Sequence, residues 1–163
     1  MEIYLMQHGS AFSKDVDPDR QLSPVGREQI IKSAQAVRRM GLGFDVVVSS
    51  PKARARQTAG IICELIGYSE DEIVVTDLIK ATTEPAETIE FLKSHKDKSA
   101  LLMVGHLPNL AKVAGELLSP GNPPNMKFQN GGLTRIDVWE ENQPKAVLRW
   151  HLTPLQMQIL AGT

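Results

Sequence analysis

The sequence has little of what marks extracellular, membrane or nucleic-acid-binding proteins. Its 163 residues include one cysteine, so no disulfide can form within the chain. The formal net charge is −1, and neither a basic run nor an acidic tail is present. No apolar segment approaches the ~20 residues that span a bilayer, and the N-terminus lacks the basic flank and apolar centre of a signal peptide. These absences predict a cytoplasmic protein that binds neither membranes nor nucleic acids.

The length and the patterning predict one domain over residues 1–163, large enough for a sizeable core. No internal repeat or linker divides the chain. Cys63 falls in a helical apolar pattern, which predicts a small core residue rather than a redox site.

Three short, apolar, β-branched segments predict buried parallel strands over residues 2–6, 44–49 and 100–105. Helical patterns separate them. This alternation is typical of an α/β fold, so we expect a three-layer sandwich: a mostly parallel mixed sheet with helices on both faces.

The second half of the chain predicts a loop followed by an antiparallel pair. Residues 119–132 are rich in turn formers. Period-two patterns then cover residues 133–139 and 146–152, on either side of a polar turn at residues 140–145.

Four helices are predicted between and after the three inner strands. Ser23 and Pro24 suit the start of the first helix, and Ser50 and Pro51 suit the start of the second. Glycines can end both. The last two helices are predicted over residues 85–95 and 108–118. The first helix has an apolar stripe of Ile30, Ala34 and Val37 and can end at Gly41. The second has an apolar stripe of Ala55, Ala59, Ile62 and Ile66 and can end at Gly67.

The carboxyl ends of the three inner strands bring polar side chains to one edge of the sheet. The strands end in "QHG", "SSP" and "GH", which places His8, Ser49–Ser50 and His106 there. Ligands of open α/β sheets bind beyond these ends. Arg54 lies about one turn past Ser50, near a helix N-terminus that attracts anions. The edge therefore predicts a phosphate site.

Four motifs, in order over residues 1 to about 110, resemble those of the histidine phosphatase superfamily, whose fold is phosphoglycerate mutase-like. "LMQHGSA" resembles "RHG", and "LSPVGREQ" resembles "LTxxGxxQ". "SSPKARARQTA" matches "SSPxxRAxQTA", and "LLMVGHLPNL" matches "VGHxP". The total length is similar to that of the compact, SixA-type phosphohistidine phosphatases.

The resemblance implies a role for each matching residue. His8 corresponds to the nucleophile, which becomes phosphorylated. Water then releases the phosphate from it. His106 would donate hydrogen bonds to phosphoryl oxygens, and Arg54 would bind two of them in its planar fork. The resemblance implies no metal and no cofactor, and the four histidines lack close ligand spacing.

Other polar residues are interpreted as structural. His95 and His151 lack a place at a strand end, and Arg56 is predicted to be exposed. Ser50 is interpreted only as a helix cap. Arg20, just before "LSP", is a candidate for the rim of the pocket.

Gln7 departs from the motif, which has arginine at this position. Glutamine keeps a donating amide but loses the charge and the bidentate fork. Losing one transition-state donor typically costs about 10²–10³ in rate, whereas enzymatic accelerations begin near 10⁶. The sequence leaves open a weakened phosphatase, with or without compensation by Arg20, a phosphate-binding module without turnover, and an engineered substitution.

Two features favour protein phosphohistidine as the substrate, with small phosphoesters as the alternative. Only about 33 residues separate the second helix from the third inner strand, so no long insertion covers the site. An alkoxide leaving group needs a general acid more than imidazole does. Glu84 and Glu87 are the nearby candidates, but both suit a helix start.

Overall fold

The computed structural model describes residues 1–139 and 146–162, which form a six-stranded sheet between two layers of helices. The strand order is β3-β2-β4-β1-β5-β6. Strands β1 to β4 are parallel, whereas β5 runs antiparallel to β1 and β6 antiparallel to β5. The strands are β1 (Glu2–Gln7), β2 (Val46–Ser49), β3 (Val74–Val75), β4 (Ala100–Gly105), β5 (Leu133–Asp137) and β6 (Val147–Leu152).

Helices cover both faces of the sheet. On one face α1, α2 and α5 pack against Tyr4, Met6 and their neighbours. On the other face α3 and α4 pack against Ile3, Leu5 and the residues beside them. The helices are α1 (Pro24–Arg39), α2 (Ala53–Ile66), α3 (Pro85–Lys93), α4 (Asn109–Leu118) and α5 (Pro154–Ala161). The predicted sandwich with a mostly parallel mixed sheet is confirmed.

The starts of the first two helices differ in one respect. Ser23 caps α1 as predicted, because its side chain accepts a hydrogen bond from Gly26 N. The prediction that Ser50 caps the second helix is wrong. Lys52 occupies the N-cap position of α2, since the chain leaves β2 through a turn before the helix begins at Ala53.

Smaller differences concern the ends and number of the elements. Helix α3 ends at Lys93 rather than at residue 95. Helix α5 was not predicted, although Thr153 and Gln156 form a capping box at its start. The antiparallel pairing of β5 and β6 is confirmed, whereas the predicted turn at residues 140–145 lies outside the described residues.

Two predictions from composition concern the core and the membrane. Cys63 is buried in α2, and burial raises the pKa of its thiol to about 12, which keeps it protonated. Over residues 1–139 and 146–162, no helix combines the length and apolar character needed to cross a membrane.

A close backbone contact joins the segment after β1 to α1. A Cβ atom at Gly26 would lie 1.8 Å from Ser10 O. A Cβ atom at Gly9 would lie 2.6 Å from a side-chain carbon of Ile30 and 2.9 Å from Gly26 O. The segment that follows the first strand lies directly on α1, and this close approach requires glycine at both positions.

Gly26→Ala should destabilise the protein by about 1–3 kcal/mol, the usual cost of overpacking, because the backbone of Ser10 must move. Gly43→Ala is the matched control, since no atom lies within 4 Å of its ideal Cβ. Urea unfolding of both variants measures the difference. Equal midpoints for Gly26→Ala and Gly43→Ala would show that the contact does not hold this segment.

Candidate active site

The pairing of β1 with β4 brings two histidines together. Gln7 lies opposite Gly105 in the parallel register, so His8 and His106 follow adjacent strand ends. The His8 backbone N–H also donates to Gly105 O at 3.2 Å. As a result the two imidazole rings lie with their centroids 4.9 Å apart.

The pairing of β2 with β4 brings an arginine to the same edge. Strand β2 ends at Ser49, and α2 begins four residues later. Arg54 therefore lies in the first turn of α2, and its Nε donates to His8 Nε2 at 3.0 Å. The structure thus places His8, Arg54 and His106 beside one another, while their chemical roles stay a prediction.

An open cleft of about 460 Å³ lies at this edge. Arg20 is exposed and lies at its rim, in line with the sequence-based expectation. Among the described residues that line the cleft there is no aspartate or glutamate, so the site favours anions. The lining residues are Gln7, His8, Ser10, Ala11, Arg20, Arg54, Ala81, His106, Leu107 and Asn130.

The hydrogen bonds of His8 define its tautomer. Nδ1 lies 2.7 Å from Gly9 O, which can only accept, so Nδ1 holds the ring proton. Nε2 then has the free lone pair and accepts from Arg54. Burial, together with the charges of Arg54 and Arg20, lowers the pKa of His8 to about 4. His8 is therefore a neutral imidazole at pH 7, the form that a nucleophile requires.

His106 is more deeply buried, with 3% of its surface exposed. Burial is also the main reason that its pKa falls to about 3, with the charges of His8 and Arg54 adding to the effect. Its Nε2 lies 2.8 Å from Ser50 Oγ, and its Nδ1 is buried without a partner in the described residues. The serine interpreted as a helix cap instead contacts the site, because its side chain turns toward this ring.

Gln7 lines the cleft with its side chain, and its Oε1 is buried without a hydrogen bond among the described residues. The loop before β5 packs against the same strand end. Gly131 N donates to Gln7 O at 2.9 Å, and Asn130 Nδ2 donates to His8 O at 2.6 Å. Asn130 was not identified from sequence, since it lies in a turn-rich segment far from the four motifs.

Two motif residues hold the segment after β1 in place. Gln29 Oε1 accepts from Ser10 N at 3.3 Å. Thr58 Oγ1 accepts from Gly9 N at 3.0 Å and donates to Arg54 O at 2.7 Å. The motifs contain both residues, but spacing alone does not reveal these supporting contacts.

The remaining polar candidates lie away from the cleft. His95 Nδ1 contacts Phe91 O, and His151 Nδ1 contacts a threonine of β5. Arg56 is exposed on α2. Glu84 occupies the N-cap position of α3 without a side-chain hydrogen bond, and Glu87 lies in its first turn.

Comparisons with known proteins find similarity to one superfamily. Residues 3–80 match the model of the histidine phosphatase superfamily (branch 1). An uncharacterized protein of Picosynechococcus is 38% identical over 65 residues, which cover 38% of this chain and only 39% of that protein. A phosphohistidine phosphatase SixA homolog of Haemophilus influenzae is 23% identical over 157 residues, covering 91% of this chain and 94% of that protein.

The fold is also found among solved structures. The protein histidine phosphatase SixA complexed with tungstate superposes with a TM-score of 0.84 and 19% identity. The match covers 96% of this chain and 99% of that chain. At this identity the likeness establishes the fold.

Stability should fall as the pH drops from about 6.5 to about 4, because the unfolded chain then binds protons that native His8 and His106 do not. Above that window the contribution is fully present. His106→Asn should reduce the slope, because it removes one of the two depressed groups. Urea unfolding of both proteins across the window measures it, and a difference between them that stays constant with pH would contradict the assignment.

Proposed function

We propose that this chain, of which residues 3–80 match the model of the histidine phosphatase superfamily, hydrolyses phosphohistidine in a phosphorylated protein, with His8 as the nucleophile. The observation that supports this most is the state of His8. Its Nδ1 proton is held by Gly9 O, and its Nε2 lone pair lies in an open cleft beside a guanidinium.

The reaction has two steps. In the first, the His8 Nε2 lone pair forms a bond to phosphorus, while the P–N bond of the substrate breaks and its electron pair stays on the departing imidazole. That imidazole leaves neutral when its other ring nitrogen is protonated. In the second step water bonds to phosphorus, and the electron pair of the His8–P bond returns to Nε2. The water protons leave with phosphate or pass to solvent.

Throughout these steps His8 keeps its Nδ1 proton. The phosphorylated ring is then cationic, and Gly9 O at 2.7 Å accepts from its N–H and stabilises that charge. Neutral His8 is regenerated when phosphate departs, so no separate base is needed to reset the nucleophile.

Arg54 has to exchange one partner for another during this cycle. Its Nε–H donates to the Nε2 lone pair of His8 at 3.0 Å. An incoming phosphoryl group offers charged oxygens, which form stronger hydrogen bonds with guanidinium than a neutral imidazole does. The guanidinium moves to the phosphoryl oxygens and frees Nε2 for attack.

The cleft favours a phosphoramidate on a protein over a phosphate ester. Its lining holds no carboxylate in the part of the chain that the structure describes, so a general acid for an alkoxide is missing there. The cleft is also open rather than covered, which suits a side chain presented by another protein. A small phosphoester would enter the cleft as readily, but its alkoxide would be expelled more slowly without a general acid.

A non-catalytic module that binds phosphate or a phosphoprotein is the second candidate. Gln7 supports it, because the neutral amide cannot give the bidentate, charge-assisted grip that arginine provides. The Arg54 contact to Nε2 supports it too, since it occupies the lone pair that nucleophilic attack requires.

His8→Ala should abolish turnover of a phosphohistidine protein, because no atom remains to accept the phosphoryl group. Arg54→Gln should lower kcat by about 10²–10³, the usual cost of one transition-state donor. Arg56→Gln is the matched control, because Arg56 lies two residues away on the same helix and is exposed. Release of phosphate from a phosphohistidine protein and from an aryl phosphate measures all three, and undiminished turnover by His8→Ala would exclude the mechanism.

Gln7→Arg separates the two candidate functions. In a weakened phosphatase the added guanidinium binds the transition state more tightly than the substrate, so turnover should rise by about 10-fold or more with little change in KM. In a binding module the same change should tighten phosphate binding without producing turnover. Steady-state kinetics and calorimetry on both proteins decide between the two candidates. If both proteins bind phosphate and neither turns over substrate, the binding-module proposal replaces the enzyme proposal.

A further inference from the structure

Ser50 forms a buried pair with His106, which lines the cleft. Ser50 is 0% exposed, and its Oγ lies 2.8 Å from His106 Nε2. The other partner of this oxygen in the described residues is Lys52 N–H, which donates to it at 3.4 Å. A hydroxyl has one proton to give, and among the described contacts only His106 Nε2 can accept it. The contacts are therefore satisfied when Ser50 donates and Nε2 accepts.

The second ring nitrogen is left without a partner. His106 Nδ1 is buried and has no hydrogen bond to the described residues, and His106 is one of the residues that line the cleft. A buried polar atom without a hydrogen bond is unfavourable unless a ligand or water satisfies it. A phosphoryl oxygen can satisfy Nδ1 only if that nitrogen holds a proton, because two lone pairs repel.

We infer that Ser50 is a positioning residue: its hydroxyl fixes His106 as the neutral Nδ1–H tautomer, so that this ring donates a hydrogen bond to the phosphoryl group. The inference rests on the proposed phosphatase function. Ser50 itself does not touch the substrate. It decides which ring nitrogen of His106 is the donor. Its position one residue after β2 places it beside the end of β4.

This role matters more in a chain with Gln7. Arginine at that position would supply two charged donors to the phosphoryl oxygens, whereas glutamine supplies one neutral amide. The cleft therefore depends more on each remaining donor. Losing the correct tautomer of His106 removes one of them and puts a lone pair in its place.

Removing the hydroxyl isolates this effect. Ser50→Ala should lower kcat by about 10²-fold, the scale of one transition-state donor, with a smaller change in KM. Ser49→Ala is the matched control: Ser49 is also 0% exposed, and its Oγ donates to Ser50 O rather than to a group of the cleft. It should keep turnover close to that of the parent. Ser50→Thr keeps a hydroxyl and should recover part of the rate.

The tautomer can be measured without any turnover. Nitrogen-15 NMR of histidine-labelled protein distinguishes a protonated from an unprotonated ring nitrogen. His106 of the parent should show Nδ1 protonated and Nε2 unprotonated at neutral pH, and Ser50→Ala should shift the proton toward Nε2. Tungstate or inorganic phosphate added to the parent should move the Nδ1–H resonance.

The outcomes separate this inference from the proposed function. If the parent has no phosphatase activity but shows the Nδ1–H tautomer and loses it in Ser50→Ala, the function fails and the positioning role stands. If His106 of the parent is protonated at Nε2, the inference is wrong whatever the activity. Equal kcat values for Ser50→Ala and Ser49→Ala in an active enzyme would also overturn it.

Discussion

The parallel pairing of β1 with β4 is the constraint on which the candidate site depends. With Gln7 opposite Gly105, the residues that follow, His8 and His106, leave the sheet side by side. A slip of one residue would turn every side chain of a strand to the opposite face. Both strands are buried on both sides, so a slip would also misplace their apolar side chains. The core therefore fixes the geometry of the two imidazoles.

Strand order adds the remaining groups. Because β2 pairs with the other edge of β4, the turn after β2 and the first turn of α2 lie beyond His106 and His8. Ser50 then contacts one histidine and Arg54 the other. Three cationic or potentially cationic groups lie close together here, and burial resolves the conflict by keeping both imidazoles neutral.

The fold could be predicted from sequence where local and tertiary preferences agree. Buried parallel strands show as short apolar runs, and Ser23 with Pro24 marks the start of α1 in sequence as in structure. Helix α5 could not be predicted from periodicity, because its apolar residues lie on exposed as well as buried faces: Leu155 and Ile159 are exposed, whereas Met157 is buried. A helix that is apolar on several sides lacks the single apolar stripe by which a helix is predicted from sequence.

The proximity of the three candidate residues could be predicted from the sequence, whereas the residues that contact and support them could not. His8, Arg54 and His106 could be identified because strand ends and motifs converge on them. Ser50 was misinterpreted because a serine before proline is a good helix cap, whereas its actual partner is 56 residues away in the chain. Asn130 gave no signal, since its contact with the backbone of His8 spans 122 residues. Local patterns do not encode contacts at such separations.

Gln7 changes the electrostatics of the cleft in a way that the geometry makes specific. The pKa of Arg54 is already lowered by burial and by the charge of Arg20. A further guanidinium at position 7 of this cleft would add repulsion, which a bound phosphate would offset. The neutral amide of Gln7 adds no such repulsion, and Arg54 Nε donates to His8 Nε2. A phosphoryl group in this cleft would therefore draw on the guanidinium groups of Arg54 and Arg20 and on the neutral donors around them.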